Sequence, residues 1–219
     1  MCNENLWSRL EPFFDDNYEL ITLPIPLEDS FDTVIESLEK SIKEEKINLL
    51  GFSLGGYIAS YFACKYPHRI NKLFIIASSL CPLSEQEIKK REDTISFVSR
   101  HGFKGLSTKK VISLLDKQNE KNFELIELIQ QMYVDLGKEV FLSQMSVTLK
   151  RDDLLYTINK LYFPITFLYG SKDRLVNHTW METLAKVTTH IRQKRFDTTS
   201  HMLPLEKPTE VAKEIKNFF

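Results

Sequence analysis

One segment, Gly51-Phe52-Ser53-Leu54-Gly55-Gly56, constrains this chain more than any other. The 219 residues include only 7 glycines, and three of them crowd around this serine, which asks for a backbone reason. Ile47–Phe52 before it is a short apolar run that reads as a buried parallel strand. Leu54 to about Tyr66 after it reads as a helix, closed by Pro67. A serine on so sharp a strand-to-helix turn takes a strained backbone conformation, and small residues two before and two after it are expected to leave room. Its hydroxyl then stands at the carboxyl edge of a sheet. The Leu54 N–H and the helix dipole point at any negative charge that develops there. Gly56 is expected to let the helix approach the sheet closely. G-x-S-x-G in a strand–helix setting is the pattern of a nucleophile elbow, and a glycine-rich turn with an incidental serine is the plain alternative.

A serine needs a base, and the base needs an orienting acid. Asp173 follows the apolar strand Ile165–Tyr169 by way of Gly170-Ser171-Lys172, which puts it at the carboxyl end of a parallel strand. His201 follows a weaker strand, Ile191–Phe196, within Thr198-Thr199-Ser200-His201-Met202. Each alone reads as a loop residue. Together with Ser53 they satisfy the order Ser, Asp, His. His68, His101, His178 and His190 lie at helix ends or in exposed positions by pattern, and Asp197 is an alternative acid close to His201 in sequence.

The rest of the chain gives the frame. Asn3 can cap a first helix with Leu6, Trp7, Leu10 and Phe13 on one side. Tyr18–Ile25 reads as a strand ending at prolines, and Phe31, Val34, Ile35, Leu38 and Ile42 recur at helical spacing behind Asp29 or Ser30. Lys72–Ser79 is the next strand. From Cys81 to about Lys160 no strand pattern appears. Ser84 to Glu87 is a capping box, and Lys109–Leu115, Phe123–Leu136 and Glu139–Lys150 read as helices. Strand and helix then alternate again from Pro164 to a last helix, Pro208–Phe219. The expectation is one α/β domain over 1–219: a mostly parallel sheet flanked by helices, with a helical insertion at about 81–160 that covers the Ser53 edge. Phe97, Phe103, Leu106, Phe123, Met132 and Phe141 are in part candidates for an acyl-pocket lining.

Composition narrows the chemistry. The formal charge is -1 and 42% of residues are hydrophobic, so no strong field points to nucleic acid or a membrane. Met1-Cys2-Asn3-Glu4-Asn5 does not read as a signal peptide, and no apolar run is long enough to span a bilayer. Cys2, Cys64 and Cys81 have no C-x-x-C spacing and read as free thiols in a cytoplasmic protein. No phosphate loop, dinucleotide glycine motif or metal-ligand cluster is present, so no cofactor and no metal is expected.

The quoted residues resemble the α/β-hydrolase superfamily, in particular single-domain bacterial esterase-type members with a helical cap. The likeness is strongest in Gly51–Gly56, Lys65-Tyr66-Pro67-His68-Arg69-Ile70, Tyr169-Gly170-Ser171-Lys172-Asp173 and Ser200–Pro208; Gly137 to Arg151-Asp152 looks like the end of a cap. The resemblance implies a catalytic triad of Ser53, Asp173 and His201 with the Leu54 N–H in the oxyanion hole. The implied reaction is cofactor-free hydrolysis of a small ester, thioester or related acyl substrate. The departure is at the start. Relatives carry a strand ending in His-Gly or Pro-Gly just before a segment like Asn3-Glu4-Asn5-Leu6-Trp7, and its loop gives a second oxyanion N–H. Here that strand and the family's first two are missing. A later start site, a natural short form and a damaged gene are the three readings. A non-catalytic binding module is the alternative function. A missing inner strand also leaves two outcomes: Tyr18–Ile25 pairs directly with Ile47–Phe52, or the segment up to about Ile25 is poorly held. The second is favoured.

Overall fold

The computed structural model describes residues 1–219. Four strands, β1 (Ile47–Phe52), β2 (Ile70–Ile76), β3 (Ile165–Gly170) and β4 (Ile191–Phe196), form one sheet in the order β1-β2-β3-β4 with every pair parallel. Parallel neighbours need crossovers, and helices supply them. Helix α1 (Phe31–Ser41) precedes β1, and α2 (Leu54–Lys65) joins β1 to β2. Between β2 and β3 come α3 (Glu85–His101), α4 (Thr108–Ile112), α5 (Phe123–Val147) and α6 (Leu155–Ile158). Helix α7 (His178–Val187) joins β3 to β4, and α8 (Leu203–Glu206) and α9 (Pro208–Phe218) close the chain.

Strand alternation sorts the core into two layers. On β2, Leu73 and Ile75 enter one cluster with Val34, Tyr57, Phe62, Phe167 and Trp180. Phe74 and Ile76 enter the other with Leu6, Leu10, Leu168, Val211 and Ile215. A period of two on strands buried on both faces produces this division. The chain is an α/β-hydrolase fold: a parallel sheet flanked by helices on both sides.

Helix ends follow sequence chemistry. The Ser30 side chain caps α1 and makes a capping box with Thr33, and Ser84 does the same for α3 with Glu87. The two helices expected at Phe123–Leu136 and Glu139–Lys150 are one element, α5, broken at Gly137, whose φ of 74° only glycine adopts readily. The three cysteines are free.

The start of the chain differs from expectation in two ways. The first helix is replaced by two 3-10 turns, Glu4–Leu6 and Glu11–Phe13, with the Asn3 side chain accepting from the Asn5 N–H at 3.1 Å. Leu6 and Leu10 are nonetheless buried, so this part is packed. Tyr18–Ile25 is not a strand and does not pair with β1, which has β2 as its sole partner. Residues 19–24 are exposed, and Ile21 keeps 64% of its surface. Proline at 24 and 26 removes ladder donors there, and the segment faces the free edge of β1 across a cleft, without ladder bonds to offset its ordering entropy. No helix is long and apolar enough to cross a membrane.

Candidate active site

Strand β1 ends at Phe52, and Ser53 turns the chain into α2 with φ 51° and ψ -115°. For a residue with a Cβ this conformation costs about 1–3 kcal/mol and persists only where the surroundings impose it. Here the Ser53 N–H donates to the Ile76 carbonyl at 2.9 Å, and the Tyr57 N–H donates to the Ser53 carbonyl at 3.1 Å. The chain is thereby held on both sides of the turn. Gly51 is required by space: a Cβ there would lie 2.4 Å from the Gly55 carbonyl oxygen. A Cβ on Gly56 would come within 2.8 Å of the Ser78 Cβ, so close helix–sheet approach depends on it. Gly55 is different. A Cβ there would meet nothing within 4 Å, so the expectation that this position must be small for the turn is corrected.

Asp173 and His201 arrive from the next two strand ends, and the three side chains form one hydrogen-bonded chain. His201 Nε2 lies 3.0 Å from Ser53 Oγ, and His201 Nδ1 lies 2.8 Å from Asp173 Oδ2. Asp173 and His201 are buried. Asp173 Oδ1 accepts the Leu175 N–H at 2.8 Å and the Val176 N–H at 3.4 Å, which fixes the carboxylate plane. The His201 ring packs on Phe52 with centroids 5.0 Å apart, and the His201 backbone N–H donates to the Leu114 carbonyl at 3.0 Å. Leu54 opens α2, where the first N–H groups have no carbonyl of their own helix to meet. Asp197 is exposed and pairs with Arg195 at 3.6 Å, away from this chain.

The loops carrying acid and base are locked together. The Ser171 N–H donates to the Phe196 carbonyl and the Lys172 N–H to the Thr199 carbonyl, both at 2.8 Å. Gly170 sits between them: a Cβ there would be 2.4 Å from Thr199 O and 2.5 Å from Ser200 O. His178, expected to be exposed, is half-buried with Nε2 2.8 Å from the Asp173 carbonyl.

A cleft of about 1700 Å³ opens at Ser53 and runs along the outer edge of β1. Leu54, His201 and Met202 line it at the sheet. From the helical segment come Leu106, Leu114, Tyr133 and Phe141, so this segment does reach the Ser53 end. Of the proposed lining residues, Leu106 and Phe141 face the cleft. Phe103 stacks behind Phe141 at 4.6 Å, Met132 is in the core, and Phe97 and Phe123 are exposed.

Sequence reasoning missed Glu206. Its Oε1 accepts the Asp116 N–H at 2.6 Å and Asn119 Nδ2 at 2.9 Å, tying the helical segment to α8 just after His201. Burial pushes its carboxyl above the ordinary 4.5. An acid with a raised folded-state pKa holds its proton longer folded than unfolded. Its contribution is therefore favourable below 4.5 and is lost as pH rises through the raised value. Glu206→Gln keeps the acceptor and removes the titration. Its melting temperature relative to the parent is expected to climb as pH rises from below 4.5 towards neutral; a pH-independent difference would refute the assignment.

Known proteins share this arrangement at fold level. The family model for serine aminopeptidase, S33, matches residues 27–208. Human monoacylglycerol lipase ABHD6 is 22% identical over 251 residues, spanning 99% of this chain and 72% of that protein. The pimeloyl-[acyl-carrier protein] methyl ester esterase of Wigglesworthia glossinidia brevipalpis is 24% identical over 188 residues, 80% of this chain and 72% of its own. Among solved structures, a thermophilic esterase from Thermogutta terrifontis superposes with a TM-score of 0.78 at 21% identity, over 99% of this chain and 85% of that one. The enol-lactonase from Burkholderia xenovorans gives 0.79 at 16% identity, over 99% and 86%.

Proposed function

The chain belongs to the serine aminopeptidase, S33, family and is a hydrolase of the α/β class; on that premise we propose that it cleaves small esters, thioesters or related acyl substrates through Ser53, His201 and Asp173. The observation that carries this reading is the unbroken run Asp173 Oδ2, His201, Ser53 Oγ, at 2.8 and 3.0 Å, with the serine held in a strained elbow. Ser53 Oγ attacks the acyl carbonyl carbon while His201 Nε2 takes its proton. Asp173 holds the Nδ1–H tautomer and stabilises the imidazolium. The Leu54 N–H and the α2 dipole stabilise the oxyanion of the tetrahedral intermediate. His201 then protonates the departing alcohol or thiol. A water, deprotonated by the same nitrogen, releases the acid from Ser53. The helices between β2 and β3 act in this reading as a cap that closes over the acyl group, within a single domain.

A fluorophosphonate probe tests the reading directly. Covalent attachment at Ser53 of the folded protein, lost in His201→Ala, is the expected result. Folded protein that stays unlabelled would point instead to a binding module.

A further inference from the structure

The cleft that contains Ser53 is unevenly charged on its helical side. Lys90, Arg91, Lys110 and Arg151 line it there, and Glu87 is the acid among them. Glu87 is already engaged: its Oε2 accepts from the Ser84 N–H at 3.0 Å and Ser84 Oγ at 2.8 Å to cap α3. Neither Arg91 nor Arg151 forms an ion pair with a carboxylate of this chain.

Arg151 is anchored on α2, the helix that Ser53 opens. Its Cζ lies 4.7 Å from the centroid of the Tyr57 ring, and Tyr57 is one helical turn beyond Ser53. The Tyr57 hydroxyl is fixed in turn, donating to the Asp152 carbonyl at 3.0 Å and accepting the Asp152 N–H at 2.8 Å. Arg151 Nε is buried without a hydrogen-bond partner. Arg91 Nη1 donates to Thr148 Oγ1 at 2.8 Å and to Met145 Sδ at 3.6 Å, leaving Nε and Nη2 uncommitted. Burial first, and then the charge of Arg91, hold Arg151 down at about 10. Two guanidinium groups drawn out of water near each other, with Glu87 near them but held in the α3 cap and in direct ion pairing with neither, are costly. They match what a planar oxyanion accepts, two parallel N–H bonds.

We propose that Arg91 and Arg151 form an anion-binding site in the Ser53 cleft, so that the substrate is an ester bearing a carboxylate or phosphate group. This rests on the hydrolase reading above and adds its substrate class. Arg91 and Arg151 are specificity-determining residues, and the ester-cleaving groups remain those of the serine.

Three p-nitrophenyl esters separate the possibilities: the neutral butyrate, the hydrogen glutarate and the 4-phosphonobutyrate. The ratio of kcat/KM for an anionic ester over the neutral one is expected to exceed unity in the parent. It should fall by about tenfold or more in Arg91→Gln and Arg151→Met, mostly through KM, with partial recovery in Arg151→Lys. Preference for glutarate or phosphonobutyrate tells which oxyanion is read. Because Arg151 is packed on Tyr57, Arg151→Met can unfold, and Arg91→Gln then decides alone. Calorimetric titration of glutarate and phosphonobutyrate into folded Ser53→Ala keeps the test independent of turnover. Binding of one anion, weakened about tenfold by Arg91→Gln, is expected even if no ester is hydrolysed, which would sink the hydrolase reading alone. An unchanged ratio in folded Arg91→Gln, or no binding of either anion to Ser53→Ala, overturns the proposal.

Discussion

Replacing Ser53 by alanine is expected to lower kcat on a p-nitrophenyl ester by about ten-thousandfold or more, with the fold intact. The side chain has one hydrogen bond, to His201 Nε2, and faces the cleft, so its removal leaves no buried partner that water cannot reach. The backbone strain at φ 51° is borne by alanine as by serine, so the melting temperature should move by no more than about 2 °C. His201→Ala should be nearly as damaging, and the double variant no worse than either, because nucleophile and base act as one unit. Steady-state rates with active-site titration check this. A Ser53→Ala protein that keeps the parent rate would end the assignment of Ser53 as nucleophile.

Gly170→Ala is expected to be one of the two most disruptive single methyls at the glycines of the chain, with Gly51→Ala. The added carbon would stand 2.4 and 2.5 Å from two carbonyl oxygens of the loop that delivers His201, and backbone cannot swing aside as a side chain can. Relief requires β3 and the 198–201 loop to separate, breaking the Ser171 and Lys172 bonds to Phe196 and Thr199. Overpacking of this kind costs about 3 kcal/mol, which for a chain of this length lowers the melting temperature by roughly 6–12 °C. Gly55→Ala is the control. A methyl there meets nothing, and replacing glycine inside a helix stabilises by about 0.4–1 kcal/mol. Thermal melts of the two variants side by side test the space argument. Equal melting temperatures would refute it.

Most of the sheet was legible because buried parallel strands announce themselves locally. Ile191–Phe196 has the same bounds in sequence and structure, and Ile165–Tyr169 gains one residue. Ser53, Asp173 and His201 were readable for a related reason: each directly follows a strand end or its short loop, and the parallel sheet gathers those ends on one side. What failed was non-local. Tyr18–Ile25 has strand-like residues, but a strand exists only with a partner, and no local pattern reports one. The need for glycine at 170 comes from Thr199 and Ser200, some thirty positions away. Sixty residues separate Arg91 and Arg151 in sequence, and only the packing of the helical segment brings both to one cleft.

The strand order follows the chain, and this has a consequence for how the protein is made. As a nascent chain leaves the ribosome, β1, α2 and β2 are complete once residue 76 has emerged, and they can pair before β3 and β4 exist. The next strand arrives only after 88 residues of helix and loop, so β2 waits with Phe74 and Ile75 uncovered on one edge. Asp173 and His201 come last. During synthesis the protein therefore passes through a stage with a formed elbow and no base, in which the serine is inert and the β2 edge is sticky. Chaperone capture would be strongest for ribosome-stalled chains that have residue 76, but not yet residue 165, outside the ribosome.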